Sequence, residues 1–68
     1  MTKYDDLEST AQRVYKYLSA RYTGTPQYFP YKEIADEIGR SRSAVSYAVG
    51  VLLRAKKIAI DDGKIAVI

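Results

Sequence analysis

The chain lacks cysteine, histidine and tryptophan altogether, and it contains only one phenylalanine, one methionine and two prolines. Without cysteine it forms neither a disulfide framework nor a thiolate metal site. Without histidine it lacks the commonest metal ligand and the usual general base at neutral pH. A glycine-rich phosphate loop is missing as well. We therefore expect no metal, no other cofactor and no small-molecule substrate.

Long apolar runs are also missing. No window of the sequence approaches the roughly 18 apolar residues of a membrane-spanning helix. Residues 1–8 are polar and acidic, unlike a secretory signal with its apolar core. We expect a cytoplasmic protein with no membrane contact.

The chain has 68 residues, which predicts one domain over residues 1–68. A domain of this size buries only about 60% of its unfolded surface, which leaves little structure for a deep active site. Two acidic pairs, Glu33 with Glu37 and Asp61 with Asp62, have no third ligand or base beside them. We expect that the protein is not an enzyme.

Positive charge is concentrated in one segment. Lys and Arg number 11 against 8 Asp and Glu, a net charge of +3. Residues 38–60 hold five of the cations and no acid. Such a segment attracts phosphate, although a solvated helix face explains the charge on its own equally well.

An apolar residue recurs every three or four positions near the N-terminus, which predicts a helix from about Tyr4 to Tyr22. The next residues, 23–26, read Thr-Gly-Thr-Pro and break this helix. Tyr28 and Phe29 predict a short strand, because residues before a proline favour extended backbone. The recurring apolar residues of the helix are Leu7, Ala11, Val14, Leu18 and Tyr22.

Two further helices and a hairpin are predicted after Pro30, which suits the start of helix two. Gly39 suits the left-handed residue that ends this helix, and Ser41 suits the N-cap of helix three. The link of residues 39–41 is so short that the helices must cross steeply, as in a helix-turn-helix. β-Rich runs at 58–60 and 65–68 surround an Asp-Gly turn and predict a hairpin.

Residues 33–49, EIADEIGRSRSAVSYAV, resemble the helix-turn-helix of GntR-type regulators. In those proteins an Ile-Ala or Leu-Ala pair precedes a glycine and then a Ser-Arg-Ser/Thr start of the recognition helix. The loop at 23–26 is similar to that of LexA-type DNA-binding domains. The resemblance extends from Leu7 to Ile68. It implies an α+β winged helix-turn-helix: a three-helix core, a short strand before helix two and a C-terminal β-hairpin wing.

The resemblance also implies a function. In the family, helix three enters the major groove and the wing lies over the DNA backbone. We expect a small protein that binds double-stranded DNA, as a transcriptional regulator or a nucleoid or mobile-element accessory factor, either as a homodimer or with a larger protein partner. The candidate DNA-binding residues are Lys32, Arg40, Ser41, Arg42, Ser43, Ser46, Tyr47, Lys57 and Lys64.

Helix three and the wing depart from this pattern. Asp61 and Asp62 at the wing tip would repel phosphate, and Lys56 and Lys57 have a second role in complementing the negative end of helix three. Gly50 costs about 1 kcal/mol relative to alanine inside a helix, so its presence predicts a close approach. A second apolar line on this helix is covered by helix one or binds a partner. That line comprises Ala44, Tyr47, Val51 and Ala55.

The alternative function is therefore a winged helix that acts mainly as a protein-interaction subunit of a replication or recombination complex. Its candidate partner-binding residues are Tyr47, Val51 and Leu53, because exposed aliphatic and aromatic side chains are typical of protein interfaces.

Tyrosine is the abundant aromatic residue, with seven copies. The five between residues 15 and 31 are predicted to fill the edge of the core, with their hydroxyls in water. Self-association and stacking on single-stranded bases are the other interpretations. Stacking is the less favoured of these, because the tyrosines are separated along the sequence from the basic segment.

Overall fold

A computed structural model describes the backbone of residues 3–68 and the side chains from residue 9 onward. It has an α+β fold in which three helices precede a two-stranded antiparallel hairpin. The elements are α1 (Lys3–Arg21), α2 (Tyr31–Ile38), α3 (Arg42–Arg54), β1 (Ile58–Asp61) and β2 (Lys64–Val67).

The predicted helical faces form the core. Helix α1 contributes Ala11, Val14 and Leu18, all buried, whereas the side chain of Leu7 lies outside the described residues. Removing such apolar side chains from water is the main force that holds a small domain together. The remaining buried apolar residues are Phe29, Ile34, Ala35, Val45, Ala48, Val49, Leu52, Ile58 and Ile65.

Two predictions for the link between α2 and α3, a left-handed Gly39 and an N-cap at Ser41, are confirmed. Gly39 adopts the left-handed conformation (φ 71°), and its N–H donates to the carbonyl oxygen of Ala35 at 2.9 Å. Ser41 caps α3, because its hydroxyl oxygen accepts a hydrogen bond from the N–H of Ala44 at 3.2 Å. Both interactions satisfy backbone groups that helix ends leave without partners.

The hairpin turns through two residues. Asp61 pairs with Lys64 in the strand register, and the intervening Asp62 and Gly63 both have positive φ, 53° and 77°. This is the type I′ turn that Asp-Gly sequences favour, because its twist matches that of the strands. The predicted hairpin is confirmed.

The short strand predicted at Tyr28 and Phe29 is wrong. The only bridge before α2 among residues 3–68 is made by Gln27, whose N–H and carbonyl exchange hydrogen bonds with Ile65 at 3.1 and 2.7 Å. The pairing stops there because the next hydrogen-bonded pair in this antiparallel register would put Phe29 opposite Gly63, which belongs to the hairpin turn and not to β2. The side-chain oxygen of Gln27 accepts from the N–H and hydroxyl of Thr23, at 2.6 and 2.9 Å, and closes the loop.

Helix α3 ends at Arg54, and Lys56 and Lys57 follow directly after its C-cap, Ala55. Lys56 adopts a left-handed conformation (φ 60°), and its N–H donates to the carbonyl of Leu53 at 3.0 Å. The N–H of Lys57 donates to the carbonyl of Leu52, also at 3.0 Å. These two bonds make a Schellman motif, in which glycine is the usual left-handed residue.

Candidate nucleic-acid interface

One face of α3 is exposed along its length. Val45, Ala48, Val49 and Leu52 bury the opposite face. A helix advances by about 100° per residue, so residues 43, 46, 47 and 50 are neighbours on one surface, all exposed except the half-buried residue 50. This surface consists of Ser43, Ser46, Tyr47 and Gly50, with Arg42 at its N-terminal end and Arg54 at its C-terminal end. It therefore offers hydroxyls and an aromatic ring between two cations.

Ser41 is exposed just before this face. Its oxygen accepts the capping hydrogen bond from Ala44, while a serine hydroxyl keeps one O–H to donate. The predicted contact of Ser41 with DNA is compatible with its capping role, because the cap uses a lone pair of the hydroxyl oxygen and the contact would use its O–H.

A groove lies between the hairpin and the first turns of α2 and α3. Lys32 of α2 and Arg42 of α3 line it together, although ten positions separate them in the sequence. The volume of the groove is about 420 Å³. No acidic residue is among those lining it, which are Tyr28, Phe29, Pro30, Tyr31, Lys32, Arg42, Ile60, Gly63 and Ile65.

The other predicted cations lie outside this groove. Arg40 is exposed in the link between α2 and α3, and Lys64 is exposed opposite Asp61 in the hairpin. The ammonium of Lys57 lies 5.4 Å from the centre of the Tyr15 ring, between α1 and α3. Lys57 therefore has a local partner and belongs to a different flank of the molecule from Lys32 and Arg42.

The predicted partner-binding residues do not form one patch. Tyr47 is 49% exposed and Leu53 37%, whereas Val51 is partly buried against the core. Tyr47 and Leu53 point about 120° apart on the helix, because they are six positions apart. Val51 lines a hollow with Ala11 and Tyr15 of α1. Helix α1 thus accounts for the Val51 side of the second apolar line and leaves Tyr47 exposed.

Gly50 has no packing explanation within the described residues. A Cβ atom built at this position would meet nothing within 4 Å. Its backbone needs no left-handed conformation either, since only Gly24, Gly39 and Gly63 among the glycines have positive φ. The close approach that we predicted for Gly50 therefore does not come from the described part of this chain, and the open space lies on the exposed face of α3.

Contrary to the prediction, Tyr28 does not fill the edge of the core. Tyr15, Tyr17 and Tyr31 pack against the core as predicted, but Tyr28 is 71% exposed. The signal was present in the sequence, because successive side chains of an extended segment point in opposite directions. Since Phe29 enters the core, Tyr28 points outward, toward the groove that it lines.

Three cations of α1 that were not predicted as site residues lie on the flank next to α2. Arg21 stacks on the Tyr17 ring at 3.9 Å from its centre and approaches a carboxylate oxygen of Glu37 at 3.9 Å. Arg13 makes a long hydrogen bond of 3.5 Å to the carbonyl of Ile38. Lys16 is exposed beside them. Two of the three cations thus join α1 to α2, which gives them a structural role.

No helix within residues 3–68 is long and apolar enough to cross a membrane. Within that same part of the chain, no group of three or more Asp or Glu side chains is placed to hold a metal ion. Comparison of the chain with protein-family models, curated proteins and solved structures found no match.

Proposed function

We propose that this protein is a small winged-helix DNA-binding protein that inserts α3 into the major groove of double-stranded DNA. The observation that carries the proposal is the convergence of Lys32 and Arg42, from two different helices, on one groove beside the exposed face of α3. Helix three, the link before it and the hairpin after it stand in the order that a winged helix requires. The proposed role is binding, not catalysis.

The side chains of the α3 face suit this role. Arg42 has a fork of donors that bridges guanine O6 and N7 or grips a phosphate. Ser43 and Ser46 are exposed hydroxyls that hydrogen-bond to base edges or phosphates. One such domain makes few base contacts, so it acts as a homodimer or within a larger complex. Regulation of transcription and an accessory role on nucleoid or mobile-element DNA are both included in the proposal.

The hairpin contributes less to this binding than α3. Asp61 and Asp62 are exposed at its tip, where a carboxylate repels the DNA backbone, and Lys64 is the single cation of the hairpin. Neither acid lines the groove. The side of the hairpin that faces Lys32 and Arg42 is therefore the side proposed to approach DNA.

The alternative, a protein-interaction subunit, has weaker support. Leu53 points away from Tyr47 on α3, and Val51, one helical turn after Tyr47, is partly covered. Tyr47 and Leu53 each remain as a separate exposed group. A single aromatic side chain is a small anchor compared with the clusters that stable interfaces use.

We expect the substitution Arg42→Ala to weaken duplex binding about tenfold, because it removes the donor fork at the start of α3. The measurement is fluorescence anisotropy with a labelled duplex of mixed sequence at low ionic strength. Arg42 is exposed, so circular dichroism is expected to show an unchanged fold. Unaltered affinity of this variant would contradict the proposed role of Arg42.

The substitution Arg42→Lys is the matched control, since it keeps the charge and removes the planar fork. If Arg42 contacts only phosphate, the lysine variant is expected to bind nearly as well as the natural protein. If Arg42 reads a guanine edge, the lysine variant is expected to lose discrimination between sequences while it keeps its general affinity for DNA.

A further inference from the structure

The groove between the hairpin and the starts of α2 and α3 is lined by aromatic and aliphatic side chains as well as cations. A contact with the backbone of a duplex would need only the cations. We infer that it binds an unpaired nucleotide, whose base stacks on Tyr28 and whose phosphate meets Lys32 and Arg42. The inference rests on the proposed function and deepens it: the ligand is a DNA duplex that carries a single-stranded extension.

The aromatic side of the groove supplies the stacking surface. Tyr28 is the most exposed of the aromatic residues described, at 71%, and it lines the groove beside the half-buried Tyr31. Ile60 of β1, 40% exposed, stands among the other lining residues. Exposure of rings and aliphatic groups to water around a concave surface is unfavourable. A nucleic-acid base would cover them, because every base has an aromatic face that stacks on such rings.

The cationic side of the groove supplies the phosphate contacts. Lys32 and Arg42 are both exposed, and neither forms an ion pair among the described residues. No carboxylate lines the groove to oppose a phosphate. Its volume of about 420 Å³ lies within the range of about 300–1,000 Å³ typical of pockets that enclose small ligands.

Tyr28 and Tyr31 are separated from the basic segment in the sequence, but in the fold they line the same groove as Arg42. The chain from Tyr28 to Lys32 brings aromatic and basic side chains to one wall, and α3 adds Arg42 from the far side of the link. Aromatic platforms combined with a positively charged groove are the combination by which proteins bind single-stranded nucleic acid. Separation along the sequence therefore does not count against base stacking at Tyr28.

An unpaired base fits this site better than a paired one. In a duplex the faces of the bases are covered by their neighbours, and only their edges are accessible in the grooves. Tyr28 can stack on a base only where the strand has left the duplex. Because Arg42 belongs both to the groove and to the exposed face of α3, a duplex held by α3 would have its extension close to Tyr28.

The test compares three labelled DNAs in anisotropy titrations at one salt concentration. They share one duplex and end bluntly, in a short oligothymidine extension, or in an extension of equal length whose sites are abasic. We expect the thymidine extension to bind about tenfold more tightly than the abasic one, because only the former has bases to stack. Equal affinity for the two extensions would overturn the inference.

Two variants of Tyr28 test whether the preference for the thymidine extension comes from the groove. Tyr28→Ala is expected to abolish the difference between thymidine and abasic extensions, and Tyr28→Phe to preserve it, because phenylalanine keeps the ring. Tyr28 is mostly exposed, so neither variant is expected to unfold the protein, which circular dichroism checks. A Tyr28→Ala variant that keeps the full preference for thymidine would overturn the assignment.

Binding of the blunt duplex distinguishes a failure of this inference from a failure of the proposed function. Binding to the blunt duplex without any gain from the thymidine extension overturns the inference alone, whereas failure to bind all three DNAs overturns both. An oligoglutamate peptide is added as competitor, since an acidic protein segment would also be attracted to Lys32 and Arg42. If this peptide displaces the thymidine-extended DNA as effectively as free oligothymidine does, the inference of a nucleotide ligand is overturned in favour of an acidic protein segment.

Discussion

The substitution Leu52→Ala is expected to lower the free energy of unfolding by about 2–5 kcal/mol. Leu52 is only 3% exposed and belongs to the core cluster that α3 forms with α1 and the hairpin. The loss combines the transfer free energy of the removed atoms with the cavity that they leave. At about 0.05–0.15 kcal/mol per residue, a protein of 68 residues has a total stability of about 3–10 kcal/mol. The loss is therefore a large fraction of the total stability, and at the lower end of this stability range the variant is expected to be unfolded.

Leu53→Ala is the matched control, because it makes the same substitution at the next residue of the same helix. Leu53 is 37% exposed and lies outside the core cluster. Its replacement is expected to change stability by less than about 1 kcal/mol. Urea denaturation followed by circular dichroism measures both variants. Equal losses at the two positions would contradict the described orientation of α3.

Binding to duplex DNA is expected to weaken about 100-fold when the salt concentration rises from about 50 to 200 mM. The estimate assumes phosphate contacts from Lys32, Arg40, Arg42 and Lys64, and about 0.9 counterions released for each contact. All four cations are exposed. Anisotropy titrations at several salt concentrations give the slope of log affinity against log salt, which is expected to be about −3.6.

Two lysine variants show whether this slope comes from the proposed surface. Lys32→Ala is expected to reduce the slope by about one, since it removes one phosphate contact. Lys16→Ala removes the same charge from α1, on the flank that α1 shares with Ile38, and is expected to leave the slope unchanged. A larger effect at Lys16 than at Lys32 would place the DNA on α1 instead of α3.

Local signals in the sequence account for the elements that were predicted well. Gly39 and Ser41 end and begin helices through interactions within a few residues of themselves, so their roles can be read from nearby sequence. The apolar spacing of α1 likewise identified Ala11, Val14 and Leu18 as core residues. Periodicity of this kind reflects the geometry of one helix and needs no knowledge of the rest of the fold.

Features that depend on long-range packing were predicted poorly. Lys56 takes the left-handed position after α3 without the glycine that usually marks it, because the chain must turn there to bring Ile58 into the core. Gln27 pairs with Ile65 from the other end of the chain, which determines where the extended segment begins. Neither position carries a signal in its own neighbourhood.

The candidate site shows the same limit. Lys32 and Arg42 were identified individually, from their positions in the helix-turn-helix pattern that the sequence resembles. Their convergence with Tyr28 and Ile60 in one groove depends on how the hairpin folds back against the helices. Sequence separation between tyrosines and cations was therefore a poor guide to distance, and only the assembled fold brings the aromatic and basic groups together.

Amide chemical shifts of the isotope-labelled protein, recorded during addition of a blunt duplex, test the central claim most directly. We expect the largest changes at residues 40–47 and around Lys32, with smaller changes in the hairpin and minimal changes at residues 12–20 of α1. This pattern would place DNA against the exposed face of α3 and the groove beside it. Changes confined to α1, or no changes at any residue with duplex in excess at low salt, would contradict the proposed function.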